Sequence, residues 1–308
     1  MNALRQALAD YLAVRRVLGY KLVRVEKLLA QFLTFVEDRG EDHVSTETAL
    51  AWATLPADAD RSWASARLSV VRRFAAHLRG IDPATEVPAV DLLPGRTSRA
   101  TPYLYSEKEI AALIAAAGTL STPHRVATYR TLIGLLVVTG MRVGEAIGLD
   151  RGDFDATNGL LIILNGKFGK SRELPLHPST VTALGEYLCR DDRPRRSTNS
   201  PALFVSPAGT RLLYTNVHLT FHRLLSQAGI KPRSAACRPR LHDIRHGFAV
   251  RTIIDGYRND GDPGSRIALL STYLGHVDPG KTYWYLSAAP ELLELAGERL
   301  EHYLGGGS

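Results

Sequence analysis

Five short stretches of this chain combine side chains that could do chemistry. In Thr139-Gly140-Met141-Arg142-Val143-Gly144-Glu145, an arginine stands just after a glycine at the start of an apolar helix. Glu145 lies one helical turn on and could hold that guanidinium in a fixed orientation; an ordinary intrahelical ion pair is the simpler account. In Asn165-Gly166-Lys167-Phe168-Gly169-Lys170, Lys167 sits at the tip of a turn with Lys170 and Arg172 beside it. That is either a solvated turn or a mobile ammonium delivered to a phosphate or a leaving oxygen. Leu241-His242-Asp243-Ile244-Arg245-His246 puts His242 and Arg245 on one helix face, with His246 at i+4 from His242. Two histidines at that spacing can bind zinc, but no glutamate follows the first and the nearby cysteine is only Cys237, so no metal site is expected. The last stretches are Tyr273-Leu274-Gly275-His276 and Lys281-Thr282-Tyr283-Trp284-Tyr285.

Arginines, a lysine, histidines and a tyrosine, with no convergent set of carboxylates, suit a phosphodiester handled without metal or other cofactor. Two guanidinium forks can grip both non-bridging oxygens and stabilise a pentacoordinate transition state, each donor worth roughly 3–4 kcal/mol. A tyrosine oxygen can attack phosphorus, and a lysine can protonate the departing hydroxyl.

These residues need elements to hold them. Apolar residues at helical spacing (Leu4, Leu8, Tyr11, Leu12; Val25, Leu28, Leu29, Phe32, Val36; Ala49 to Leu55; Leu68, Val71, Phe74, Ala75, Leu78) predict a helical domain of about four helices over 1–88. Ser62 is the expected N-cap of the fourth. Prolines and glycines from Pro83 to Pro102 predict an extended linker, bounded at 89–104. Ser106 and Glu109 form a capping box that opens a second domain, 105–304. There the pattern predicts helices over 124–138 and 143–149, strands over 160–164 and 173–176 joined by a hairpin turn, then helices over 179–188, 216–228, 241–254, 266–274 and 290–303. The fold class is therefore mainly α with a small β-sheet or hairpin in the second domain. Residues 305–308, Gly-Gly-Gly-Ser, read as a flexible tail or a fusion scar.

The chain has 308 residues, 45% hydrophobic and 22% charged, which excludes a disordered chain or a fibre. Two cysteines cannot make a disulfide framework, and the longest charge-free apolar run, Thr131 to Met141, is too short for a bilayer. No secretory apolar segment opens the sequence. A soluble, cytoplasmic protein with no membrane partner is expected. The net charge of +7 is a weak sign of an anionic partner by itself. It is unevenly spread: residues 190–251 carry 12 basic against 3 acidic residues, a net +9, while 252–308 carry 4 against 8, a net −4.

In their order, spacing and intervening hairpin, the five stretches resemble the signature of the tyrosine recombinase (phage integrase) family, and the helical N-terminal part resembles its core-binding domain. The resemblance implies a two-domain clamp on double-stranded DNA. It implies that Arg142 and Arg245 clamp the scissile phosphate, that His242 and His276 donate hydrogen bonds to it, and that Lys167 is the general acid, with Lys170 its rival. Tyr285, three residues after Thr282, would be the nucleophile rather than Tyr283, leaving a 3′-phosphotyrosyl bond. Glu145 and His246 would support these groups from behind. The family also implies a tetramer on DNA, assembled through the helix at 290–303, and other recombinases of the same element as partners. A polar segment from Asp255 to Gly264 is longer than in Xer-type members, so the chain looks more like recombinases of transposons and other mobile elements, and the work implied is integration or transposition. A type IB topoisomerase and a DNA-binding regulator without catalysis are the competing readings. The expected DNA-contacting residues are Arg67, Arg72, Arg73, Lys170, Arg172, Arg238 and Arg240.

Overall fold

The computed structural model describes residues 3–55, 61–93, 100–164, 171–194, 201–258 and 263–275. The chain divides into two compact units, Met1–Arg99 and Ala100–Ser308.

The first unit is built from helices α1 (Ala3–Val17), α2 (Val23–Asp38), α3 (Thr46–Thr54) and α4 (Arg61–Leu78). Their apolar stripes close on one core that includes Leu8, Leu12, Phe32, Leu33, Trp52, Leu68 and Phe74. Ser45 caps α3 by accepting from the Thr48 amide. Ser62, the expected cap of α4, instead lies within its first turn. Arg67 is buried at 8% exposure, with its guanidinium 3.8 Å above the Trp52 ring. It therefore belongs to the interior and not to a DNA-contacting face, because a stacked guanidinium on an apolar helix face buries its stem with the core. Arg72, also expected at DNA, donates to the carbonyls of Pro88 and Ala89 and straps the following segment to α4. Only Arg73 of these three is exposed, bonded back to Ser69.

The segment after α4 is docked where an extended linker was expected. The Glu86 amide donates to Val44, the Glu86 carboxylate accepts from the Thr46 amide, and Val87 and Leu93 pack on the core. Tyr103 and Tyr105, around the other expected boundary, are buried in the core of the second unit.

The second unit begins with α5 (Glu107–Ala116), opened by the reciprocal Ser106–Glu109 capping box. Next come α6 (Pro123–Thr139), with Thr122 as N-cap and Pro123 at its first position, and α7 (Val143–Gly148). A three-stranded antiparallel sheet follows, ordered β1 (Phe154–Asp155), β2 (Leu160–Ile163) and β3 (Arg172–Pro175). The two-residue β1 is too short to show alternation and was not legible in sequence. Helices α8 (Pro178–Leu188), α9 (Tyr214–Gln227), α10 (Asp243–Arg258) and α11 (Pro263–Leu274) complete the described part. Helix α6 packs against α5, α8 and α10. In the polar stretch expected from Asp255 to Gly264, the described residues are helical, since α10 runs on to Arg258 and α11 starts at Pro263. Among the described residues no helix is long and apolar enough to cross a membrane.

Candidate functional site

The site is a closed ring of contacts between stretches distant in sequence. Gly140 ends α6 at φ 58°, the left-handed conformation that glycine adopts without penalty. A Cβ there would lie 2.3 Å from the Phe248 ring of α10, so α10 approaches this turn more closely than any side chain permits. Two residues on, Arg142 precedes α7, and Glu145 reaches back to accept from the Arg142 amide at 3.0 Å and from its guanidinium at 2.8 Å.

The same carboxylate accepts two bonds from Arg172 of β3, at 3.2 and 2.7 Å. Glu145 is thereby shared by two guanidiniums while its side chain is 7% exposed. Burial pushes its pKa up, but the Arg172 hydrogen bonds and charge, the Arg142 amide and the Arg142 side chain together outweigh burial. The result is a pKa lowered from 4.5 to about 2. Arg172, expected to contact DNA, is instead mostly buried and committed to Glu145. The strand register explains this: Arg172 pairs with Ile163 and Leu174 with Leu161, so Arg172 lies on the sheet face that enters the core. Its guanidinium also lies against Gly275, where a Cβ would sit 3.1 Å from Nη1.

Arg245 closes the ring. It is 2% exposed, and its terminal nitrogens donate to the carbonyls of Gly140 at 2.9 Å and Leu274 at 2.7 Å. Those bonds tie α10 to the turn before Arg142 and to the end of α11. Contacts thus run from Arg142 through Glu145, Arg172, Gly275, Leu274 and Arg245 back to Gly140, and the ring holds three guanidiniums and one carboxylate. Such an excess of fixed positive charge around backbone turns suits an anion, phosphate above all.

At the start of α10, His242 is exposed immediately before the first helical residue, not inside the helix. His246 is buried, its ring edge-on to His242 with centroids 5.1 Å apart and its Nε2 4.0 Å from Asp243. Asp243 has no exposed surface and takes both Nε and Nη2 of Arg240, at 3.0 and 2.8 Å. Arg240, expected at DNA, thus spends two donors in fixing the N-terminus of α10. The Tyr105 hydroxyl donates to the Arg240 carbonyl, and burial, followed by the Asp243 charge, raises its pKa well above the usual phenol range. Arg238 is exposed. No cluster of three or more metal-ligating side chains forms among the described residues.

Of the expected site residues, the structure brings Arg142, Glu145, His242 and Arg245 to neighbouring turns. Sequence reasoning missed Arg172 as the second partner of Glu145, Asp243 as the anchor of Arg240, and the close approach at Gly140. Lys167, Lys170, His276, Tyr283, Tyr285 and the helix expected at 290–303 lie outside the described residues.

Residues 104–291 match the phage integrase family. The Sinorhizobium fredii protein y4rB, assigned by its name to the integrases and recombinases, is 43% identical over 98% of this chain and 98% of its own. Tyrosine recombinase XerD of Neisseria meningitidis is 28% identical over 92% of this chain and 90% of its own. Among solved structures, the Tn1549 transposon integrase bound to transposon right end DNA has a TM-score of 0.65 at 17% identity, covering 96% of this chain and 99% of that one. A lambda integrase dimer bound to a core site has a TM-score of 0.61 at 18% identity, covering 93% and 96%. At these identities the two structures speak for a shared fold. The family match takes in every stretch of the contact ring, from Gly140 to Gly275, and with a relative so similar along nearly its whole length the chain belongs to the phage integrase family, the tyrosine recombinases, enzymes that cleave and rejoin DNA.

Proposed function

We propose that the chain is a site-specific recombinase acting on duplex DNA in the cytoplasm, serving integration or transposition of a mobile element. In this reading Arg142 and Arg245 hold the non-bridging oxygens of the scissile phosphate and His242 and His276 add hydrogen bonds. The Tyr285 oxygen attacks phosphorus while its proton passes towards His242, a new P–O bond forms to tyrosine, and the bond to the 5′ oxygen breaks. Lys167 supplies the proton to that leaving oxygen. The 3′-phosphotyrosyl link keeps the energy of the broken diester, so a second 5′-hydroxyl can reseal it with neither ATP nor metal. The segment 290–303 joins four copies on DNA, and residues 1–88 and 105–304 both contact the duplex.

The observation that carries this reading is the ring that holds Arg142 and Arg245 at adjoining turns, with Glu145 and Arg172 fixing the first guanidinium. A nicked suicide duplex bearing the end sequence of the element tests it. The wild type is expected to form a denaturation-resistant protein–DNA adduct in EDTA, and Tyr285→Phe none. An adduct that survives in Tyr285→Phe and vanishes in Tyr283→Phe moves the nucleophile by two residues. Loss in EDTA refutes the metal-free reaction. Relaxation of supercoils without strand exchange favours a topoisomerase.

A further inference from the structure

Helix α9 carries two histidines, His218 and His222, that the contact ring does not use. Four residues apart on a helix, they lie one above the other on the same face. Their ring centroids are 4.5 Å apart, their planes meet at 61°, and their two Nε2 atoms are separated by 3.3 Å. Aromatic neighbours flank both rings: Tyr214 stacks on His218 at 6.1 Å, and Phe221 meets His222 edge-on at 6.4 Å.

Zinc bound tetrahedrally to imidazole nitrogens at about 2.0–2.1 Å needs those nitrogens about 3.3 Å from one another. The other histidine pair at the same sequence spacing, His242 and His246, does not have this arrangement. There the rings are perpendicular, with centroids 5.1 Å apart, and His246 points Nε2 towards Asp243.

We infer that His218 and His222 form a two-imidazole chelate for a divalent cation of the zinc class, whose remaining coordination positions are taken by water. His222 is exposed, so the cation reaches the pair from solvent. The pair supplies two protein ligands, fewer than the three of an open catalytic zinc site or the four of a structural one. A neutral N–H···N hydrogen bond between the rings is the competing account of the same separation.

Calorimetric titration of the untagged full-length chain with Zn2+ separates the two accounts without any measurement of strand cleavage. The chelate requires saturable one-to-one binding and a Zn2+-dependent rise in Tm. His218→Ala and His222→Ala each weaken binding by about tenfold or more and remove the rise, with circular dichroism showing α9 still folded. His242→Ala leaves affinity unchanged. A flat titration of the wild type, affinity unaltered in both α9 variants, or affinity lost only in His242→Ala overturns the proposal.

Discussion

A carboxylate with 7% of its side chain exposed remains an anion only if its lone pairs are claimed, and Glu145 has Arg142 and Arg172 on both oxygens. Its pKa of about 2 lies below the ordinary 4.5, so the stabilisation is whole above about pH 4.5 and drains as pH falls towards 2. The difference corresponds to about 3 kcal/mol. Glu145→Gln is therefore expected to unfold at lower urea than the wild type at pH 7, with the gap narrowing as both are taken to pH 3. A gap that is equal at the two pH values would mean that Glu145 is not the ionised centre of the cluster. Arg67 is the opposite case, a buried cation with no carboxylate beside it among the described residues and an Nε that has no hydrogen-bond partner there. Burial lowers its pKa, while stacking on Trp52 offsets part of the cost. Arg67→Leu fills the same space without the desolvated group, so Tm should change by no more than a few degrees and DNA affinity not at all. A clear fall in affinity, read by fluorescence anisotropy, would return Arg67 to the DNA-binding surface.

Between elements, the closest tolerance in the site is the turn from α6 to α7. Gly140→Ala meets two costs, the left-handed φ at about 1–2 kcal/mol and a Cβ 2.3 Å from the Phe248 ring. A total loss of about 2–4 kcal/mol is expected in chemical denaturation. Pairing it with Phe248→Ala should give a double variant less destabilised than the two single losses added together. Full additivity would show that the ring does not block the site. This turn also marks where sequence reading succeeded and where it stopped. The Gly140-to-Glu145 spacing, the Ser106 capping box and the helical stripes are local signals, set by residues a turn apart, and they were legible. The role of Arg172 depends on which face of β3 enters the core. Leu174 two residues on carries that parity, but three basic residues within 167–172 read as a solvated turn. The bonds from Arg245 to Gly140 and Leu274 go to backbone carbonyls, which carry no residue identity, so no sequence pattern announces them.

Over the whole molecule, the net +9 of residues 190–251 decides less than the manner in which each charge is held. Both arginines are exposed, but Arg240 is held by two bonds to Asp243, a carboxylate with no exposed surface, whereas Arg238 donates only to the Ala235 carbonyl among its described contacts. The two arginines are separated by one residue and should behave differently. If Arg238 meets a phosphate, its loss removes one released counterion, so Arg238→Gln should weaken DNA binding evenly across sequences. It should also flatten the plot of log affinity against log salt by about one unit. Its folding stability should stay within about 0.5 kcal/mol of the wild type, as for an exposed substitution. Arg240→Gln leaves Asp243 buried without its bidentate partner at the start of the helix that carries Arg245. The expected loss is about 1–3 kcal/mol of stability, and strand cleavage should fall with it because α10 carries Arg245, proposed above to hold the scissile phosphate. Anisotropy titrations from 50 to 200 mM salt, run beside urea denaturation of both variants, separate the two behaviours. An Arg240→Gln variant that keeps wild-type stability but shows the flattened salt plot would make Arg240 a phosphate contact, and Asp243 would then need another partner to remain buried.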